Sequence, residues 1–227
     1  MNIILIPYRN REKQLEYFIK NSYPLLKKIL KELEIVIVEQ TDERLFNRGK
    51  LLNIGFTLYK NTGMNFFTHD VDLNPRLNII EELYKKSIGD DEIMGIYTSG
   101  CNTLGGIIKF KKNSYTKING FPNEIWGWGT EDKALQNRAE FKSIKISKNI
   151  LSNDPKKDKY FKIFDDVNDR VKVNMNKNWF LYYKLFDKLK DDEKEKEIMS
   201  SGLNNLSFKI KKIEIINNDI KKITVKI

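Results

Sequence analysis

From Asn2 to Ile6 the chain is apolar almost without interruption, and the run stops at Pro7. A strand with one wet face would alternate, so this one is expected to be buried on both faces. Apolar residues then recur at helical spacing between Glu12 and Leu33: Leu15, Phe18, Ile19, Leu25, Leu26, Ile29, Leu30 and Leu33. Pro24 marks a break or a new first turn inside that stretch. Glu34–Val38 is a second β-branched run. Strand, helix, strand is the opening of a parallel α/β sheet.

The same patterns continue along the chain. Lys50–Lys60 reads as a helix and Asn65–Leu73 as a third strand that runs into acids. Ile93–Tyr97 and Gly106–Phe110 read as strands, Asn123–Gly129 as a loop, and Glu131–Phe141 and Trp179–Met199 as helices. The stretch from Ser152 to Lys172 is polar, charged and weakly patterned. Leu206–Ile227 alternates as a late hairpin would. With no internal repeat and no Pro/Ser linker, residues 1–227 are expected to form one domain.

Composition narrows the chemistry. A chain of 227 residues with 40% hydrophobic residues can bury a substantial core, which argues against disorder. The formal charge of +10 favours anionic partners, but the lysines are spread along the chain, so a solvated surface is preferred over a nucleic-acid groove. Cys101 and His69 each stand alone, which excludes an intramolecular disulfide, a Cys cluster and a multi-His zinc site. Met1–Pro7 is too short to span a membrane and lacks the charge order of a signal peptide. A cytoplasmic protein is the expectation.

Two segments carry chemistry. In Phe66-Phe67-Thr68-His69-Asp70-Val71-Asp72-Leu73, two carboxylates follow an apolar strand, two residues apart. Extended chain would point them the same way, at the strand end where open α/β sheets bind ligands. Their oxygens suit Mg²⁺ or Mn²⁺, which bridge diphosphate oxygens. The bland alternative is a solvated turn. Alternation points His69 away from both acids, into a packing role or one that supports a ligand from behind. In Gly120-Phe121-Pro122-Asn123-Glu124-Ile125-Trp126-Gly127-Trp128-Gly129-Thr130-Glu131-Asp132, glycines flank indoles that can stack on a sugar ring. Glu131 or Asp132 can serve as a base toward an acceptor hydroxyl. A helix cap accounts for Asp132 but not for tryptophans alternating with glycines beside acids.

These residues resemble the beta-1,4-galactosyltransferase family, glycosyltransferase family seven, over nearly the whole chain. Ile6-Pro7-Tyr8-Arg9-Asn10-Arg11 resembles its opening nucleotide-contacting segment, and Phe46-Asn47-Arg48-Gly49-Lys50-Leu51-Leu52-Asn53 its F-N-R-A-K-L-L-N motif. His69-Asp70-Val71-Asp72-Leu73 resembles its D-V-D metal motif and is nearest to the proteoglycan-linker (xylosylprotein) branch. Gly105-Gly106 resembles a glycine pair near the donor sugar. Asn119–Asp132 follows N-G-F-P-N-x-x-W-G-W-G-x-E-D, and Ser201–Leu206 resembles a late G-L-N-S-L segment.

The resemblance implies an inverting transfer of a hexose from a UDP-sugar to a glycan hydroxyl, with Mn²⁺ (or Mg²⁺) as cofactor. It also implies a Rossmann-like GT-A fold with a mostly parallel sheet flanked by helices. Residues 1–110 would form the nucleotide-sugar and metal half, and 111–227 the acceptor and catalytic half. Pro7, Tyr8, Arg9, Arg11, Phe46 and Arg48 would hold the nucleotide. Asp70, with Val71, would meet the ribose or donor sugar, and Thr103, Gly105 and Gly106 would line the donor. Trp126 and Trp128 would face donor and acceptor, Glu131 would contact sugar, and Asp132 would be the base. Asp72 would bind metal.

This chain departs from the family pattern at three places. Where the family supplies a downstream metal-binding His, it reads Leu151-Ser152-Asn153-Asp154-Pro155, leaving Asn153 and Asp154 as oxygen ligands. Lys133 replaces the third acid of E-D-D. Thr103 replaces a tyrosine that crowds the donor C2 position, which opens UDP-GalNAc beside UDP-galactose. Peripheral membrane contact is compatible with a lipid-linked acceptor; nucleic acid is not an expected partner. The competing reading is a non-catalytic binder of nucleotide sugar or glycan that kept the fold and lost metal ligands.

Overall fold

A computed structural model describes residues 1–164 and 173–227. Its centre is an eight-stranded sheet in the order β7-β5-β6-β3-β1-β2-β10-β9. β1 (Asn2–Tyr8) lies between β2 (Leu33–Gln40) and β3 (Asn65–His69), parallel to both. The Ile3–Tyr8 stretch is buried throughout, as its unbroken apolar sequence requires. Its side chains divide by alternation between two cores. Ile4, Ile6 and Tyr8 meet one helical layer, and Ile3 and Leu5 the other.

The first layer is α1 (Glu12–Tyr17), a π-helical turn at Phe18–Ser22, and α2 (Tyr23–Ile29), which begins around Pro24. It buries Leu15, Phe18 and Leu26. The helix stops at Ile29 because Leu30 is extended, so Leu33 opens β2 instead of closing the helix. On the opposite face, α3 (Arg48–Tyr59) buries Leu51, Leu52, Ile54 and Phe56.

Beyond β3 the direction reverses. The chain passes through β4 (Leu73–Pro75), a short helical segment α4 (Leu77–Ile79) and β5 (Glu92–Thr98). β6 (Ile107–Lys111) is antiparallel to both β3 and β5. α5 (Lys112–Lys117) and α6 (Glu131–Phe141) follow, and α6 has the bounds read from its sequence. β7 (Lys145–Leu151) adds parallel to β5. β8 (Phe161–Ile163) pairs with β4 in a separate ribbon. The C-terminal hairpin is β9 (Lys209–Asn217) and β10 (Ile220–Lys226), with β10 docked parallel to β2. The result is the mostly parallel, helix-flanked α/β sheet expected.

Two further sequence readings change. The strand expected over Asn65–Leu73 ends at His69, where its pairing with β6 stops at Ile107. Asp70 to Asp72 form a turn closed by Leu73 N–H donating to the Asp70 carbonyl at 3.2 Å. Strand alternation therefore does not orient the two acids. The helix expected over Trp179–Met199 is broken. A helix at Met175–Trp179 passes into a π-helical turn at Phe180–Leu185 and a short helix at Phe186–Lys188. A new helix, Asp191–Ser200, starts on Asp191, Asp192 and Glu193, acids that favour a helix N-terminus. Of the Ser152–Lys172 stretch, residues 165–172 lie outside the described residues.

Candidate active site

The site lies at the carboxyl ends of β1 and β2, where open α/β sheets bind ligands. A cleft of about 550 Å³ opens there, with Arg9, Glu39, Asp42 and Arg44 among its walls. Pro7 and Tyr8, the last residues of β1, are buried beneath it. Arg9 donates from Nη1 to the Arg44 carbonyl at 2.7 Å, and its guanidinium lies 5.3 Å from the Phe46 ring centroid. Arg11 is exposed at the head of α1.

The centre of the site is Arg48, the first residue of α3. Its Nε donates to Asp70 Oδ1 at 2.8 Å and its Nη1 to Asp132 Oδ1 at 2.9 Å. Arg48 is 11% exposed, against 32% for Asp70 and 26% for Asp132. Burial alone would weaken the guanidinium's hold on its proton. Asp70 above all, then Asp132 and Glu131, more than offset that, and its pKa stands above the ordinary value. Burial drives the Asp132 carboxyl well above the usual carboxylate range; Arg48 opposes the rise, and Glu131 and Asp70 add to it. Glu131 is raised by the same burial, again opposed by Arg48. One cation thus serves three carboxylates, and burial makes Asp132 hold a proton more readily than an exposed carboxyl would.

Asp70 and Asp132 also meet around the glycine pair. Asp70 N–H donates to the Gly106 carbonyl at 3.1 Å, and Gly105 packs so tightly on the Asp132 carboxylate that a Cβ would overlap it. Val71 is buried beside them. Thr103 is half-buried in the β5–β6 loop, its carbonyl accepting from Ser99 N–H at 3.1 Å. His69 is buried, with Nδ1 2.9 Å from the Asp70 carbonyl and Nε2 2.9 Å from the Tyr84 hydroxyl. Burial depresses its pKa to about 4, so it is a neutral residue packed between the Asp70 carbonyl and Tyr84.

The tryptophan loop is fastened at both sides. Gly127 N–H donates to the Phe46 carbonyl at 2.9 Å and Trp128 N–H to the Val173 carbonyl at 3.0 Å. The Asn178 amide reaches the Trp126 carbonyl at 3.2 Å. Trp126 carries the Arg44 guanidinium 4.5 Å from its ring centroid. Thr130 takes a left-handed φ of 72° at the head of α6, and no side chain caps that helix. Asp132 is therefore not explained as a cap.

Asp72 is half-buried in the turn, and its carbonyl accepts from Phe164 N–H at 2.9 Å. Asn153 and Asp154 have local partners. The Asn153 amide donates to the Gly100 carbonyl at 3.4 Å, and Asp154 Oδ1 accepts from Lys156 N–H at 2.7 Å. Among the described residues no group of three or more His, Cys, Asp and Glu side chains can hold a metal ion. The available donors are oxygens. They fit a hard cation whose coordination is completed by substrate and water, not a protein cage of the zinc type.

Sequence reasoning missed the frame that aims these groups. Asn53 Nδ2 donates to the Phe121 carbonyl at 2.8 Å and to Asn123 Oδ1 at 3.0 Å. Its Oδ1 accepts from Tyr115 Oη at 2.8 Å and Phe121 N–H at 3.0 Å. Asn47 caps α3 through Lys50 N–H and donates to the Asn123 carbonyl at 2.7 Å. From the other side, Asn123 donates to the Gly202 carbonyl and Asn205 Oδ1, both at 2.7 Å. Gly49 lets this loop close onto α3, since a Cβ would come within 2.8 Å of Phe121 Cβ. The available signal was an asparagine between Leu52 and Ile54 on a buried helical face.

The family model for the N-terminal region of glycosyl transferase group 7 matches residues 1–84, and that for the N-terminal domain of galactosyltransferase matches residues 94–164. Beta-1,4-galactosyltransferase 4 of Homo sapiens is 30% identical over 217 residues, which are 93% of this chain and 59% of the human protein. Its Mus musculus counterpart is 37% identical over 186 residues, 77% of this chain and 51% of the mouse protein. The chain thus spans about half to three-fifths of the length of these curated relatives. Among solved structures, the catalytic domain of Drosophila beta-1,4-galactosyltransferase 7, complexed with xylobiose, superposes with a TM-score of 0.76 at 21% identity, covering 99% of this chain and 93% of that one. A mutant of it, complexed with manganese, UDP-Gal and xylobiose, gives 0.74 with the same coverage. At that identity the likeness is one of fold.

Proposed function

The chain belongs to glycosyltransferase group 7, the family of the beta-1,4-galactosyltransferases, and from that premise we propose that it transfers galactose from UDP-galactose to a hydroxyl of a glycan acceptor, inverting the anomeric carbon. The observation that carries this reading is the meeting of Asp70, from the end of β3, with Asp132, from the head of α6, on the single guanidinium of Arg48.

Asp132 is the base. It takes the proton of the acceptor hydroxyl while that oxygen bonds to the anomeric carbon, and the bond to UDP breaks on the opposite face with its electron pair leaving on the diphosphate. The raised proton affinity of Asp132 suits that role. Glu131 and Asp70 contact sugar hydroxyls, and Gly105 and Gly106 leave room for the ring. Pro7, Tyr8, Arg9, Arg11 and Phe46 form the nucleotide side, while Trp126 and Trp128 form the acceptor side. Thr103, in place of a bulkier residue, extends the donor range to UDP-GalNAc. Asp72 is the protein's carboxylate for Mn²⁺ or Mg²⁺. That ion, when bound, supplies neutralisation of charge on the leaving diphosphate.

The test is UDP release from a panel of UDP-sugars with Mn²⁺ and simple β-linked acceptors. Turnover with UDP-galactose supports the reading; a folded protein silent across the panel sinks it. The local engagement of Asn153 and Asp154 favours a second reading, a non-catalytic binder. That reading expects UDP binding indifferent to Mn²⁺ and unchanged in Asp72→Ala.

A further inference from the structure

The resemblance placed Arg48 at the nucleotide, yet two of its three guanidinium nitrogens hold carboxylates from opposite halves of the site. We propose that Arg48 is a positioning residue that locks the acceptor-side base, Asp132, to the donor-side carboxylate of Asp70, so that the two sugars are held in register. This rests on Asp132 being the base.

Arg48 is itself immobilised. It opens α3 directly after Asn47, whose side chain caps that helix at Lys50 N–H, 2.9 Å away, and also binds the Asn123 carbonyl. Its guanidinium lies 5.9 Å from the Phe121 ring centroid, and Phe121 is held by Asn53. The planar fork fixes the separation of two carboxylates at once, which a lysine ammonium cannot do. The span is long in sequence, 22 residues to Asp70 and 84 to Asp132. The turn at Asp70 and the head of α6 are also joined through the glycine pair, by the Asp70–Gly106 hydrogen bond and the packing of Gly105 on Asp132. The charged groups facing Asp132 are Arg48 from α3, Asp70 from the β3–β4 turn and Glu131 from its own helix. Of these, Arg48 alone favours the ionised form.

The test compares Arg48→Gln and Arg48→Lys with wild type for kcat, its pH profile and calorimetric UDP affinity. In Arg48→Gln, kcat is expected to fall about a hundredfold, the cost of a base displaced by roughly an ångström. UDP affinity is expected to stay within about threefold, because the Nε and Nη1 of the fork are already committed to carboxylates. The acidic limb of the kcat profile moves to higher pH, since the one group lowering the Asp132 pKa is gone. Arg48→Lys returns the limb while kcat recovers only in part. An Arg48→Gln protein that loses UDP affinity in step with kcat/KM, with its limb unmoved, assigns Arg48 to the nucleotide and overturns the proposal. Should Arg48→Gln not fold, full kcat in Arg48→Lys overturns it equally. Asp132→Asn separates the two levels. Activity there removes the base itself, whereas an inactive Asp132→Asn beside an unshifted Arg48→Gln removes the positioning role alone.

Discussion

Gly105 and Asp132 are in such close contact that a methyl group on Gly105 would overlap the Asp132 carboxylate. Because Arg48 grips the same carboxylate at 2.9 Å, the side chain cannot swing aside without breaking that pair. Gly105→Ala is therefore expected to lower kcat by about a hundredfold. Its melting temperature should stay within a few degrees of wild type, since the yielding group is a side chain and not backbone. Steady-state kinetics beside thermal melting check this; unchanged kcat would show that Asp132 has slack.

Three of the four hydrogen bonds of Asn53 join α3 to the loop that carries the tryptophans, and the fourth joins it to Tyr115 on α5. Asn53→Ala leaves Tyr115 Oη and the Phe121 amide without an acceptor in a buried setting. A loss of about 4 kcal/mol of stability is expected in urea denaturation, at roughly 1 kcal/mol net for each of the four hydrogen bonds. A loss under 1 kcal/mol would mean that the frame is redundant.

The sheet was legible where burial writes itself into the sequence. Ile3–Tyr8 is buried on both faces and so could not alternate; α6 begins and ends where its pattern does. The turn at Asp70–Asp72 was not legible, because its geometry depends on Gly106, a residue far along the chain, just ahead of the antiparallel strand β6. β7 was missed because its alternation of Lys, Ser and Asn with Ile reads as loop when the partner strand is unknown. Motif resemblance picked out Arg48, Asp70 and Asp132 separately. That one guanidinium joins them, and that Asn47, Asn53 and Asn123 frame the site, follows from contacts no local pattern encodes.

His69 makes a pH prediction. Its folded pKa of about 4 lies below the ordinary value of 6.5, so the unfolded chain binds a proton that the folded one refuses between those values. This residue's contribution is constant above about pH 7 and is lost as pH falls through 6.5 toward 4. Between pH 7.5 and 5 it removes about 2 kcal/mol of stability at 1.36 kcal/mol per pKa unit. His69→Gln should lack that portion of the slope in urea denaturation at matched pH. Parallel slopes for the two proteins would show that His69 charges freely in the fold.

Asp72 makes a metal prediction. Mn²⁺ should tighten UDP binding to the wild type, and Asp72→Ala should lose that enhancement while retaining metal-free UDP affinity within about threefold. Calorimetry with and without Mn²⁺ reads both. An enhancement that survives in Asp72→Ala would move the ligand role elsewhere.

The central claim is that Asp132 deprotonates the acceptor in a galactosyl transfer. The direct measurement is product formation from UDP-galactose, Mn²⁺ and a β-linked acceptor panel, with the new linkage read by NMR, for wild type and Asp132→Asn. The expected result is a β-linked galactoside from wild type. Asp132→Asn should be slower by roughly a thousandfold or more, the upper part of the ordinary contribution of a general base, with UDP binding intact. Equal turnover by Asp132→Asn, or an α-linked product, would contradict the account.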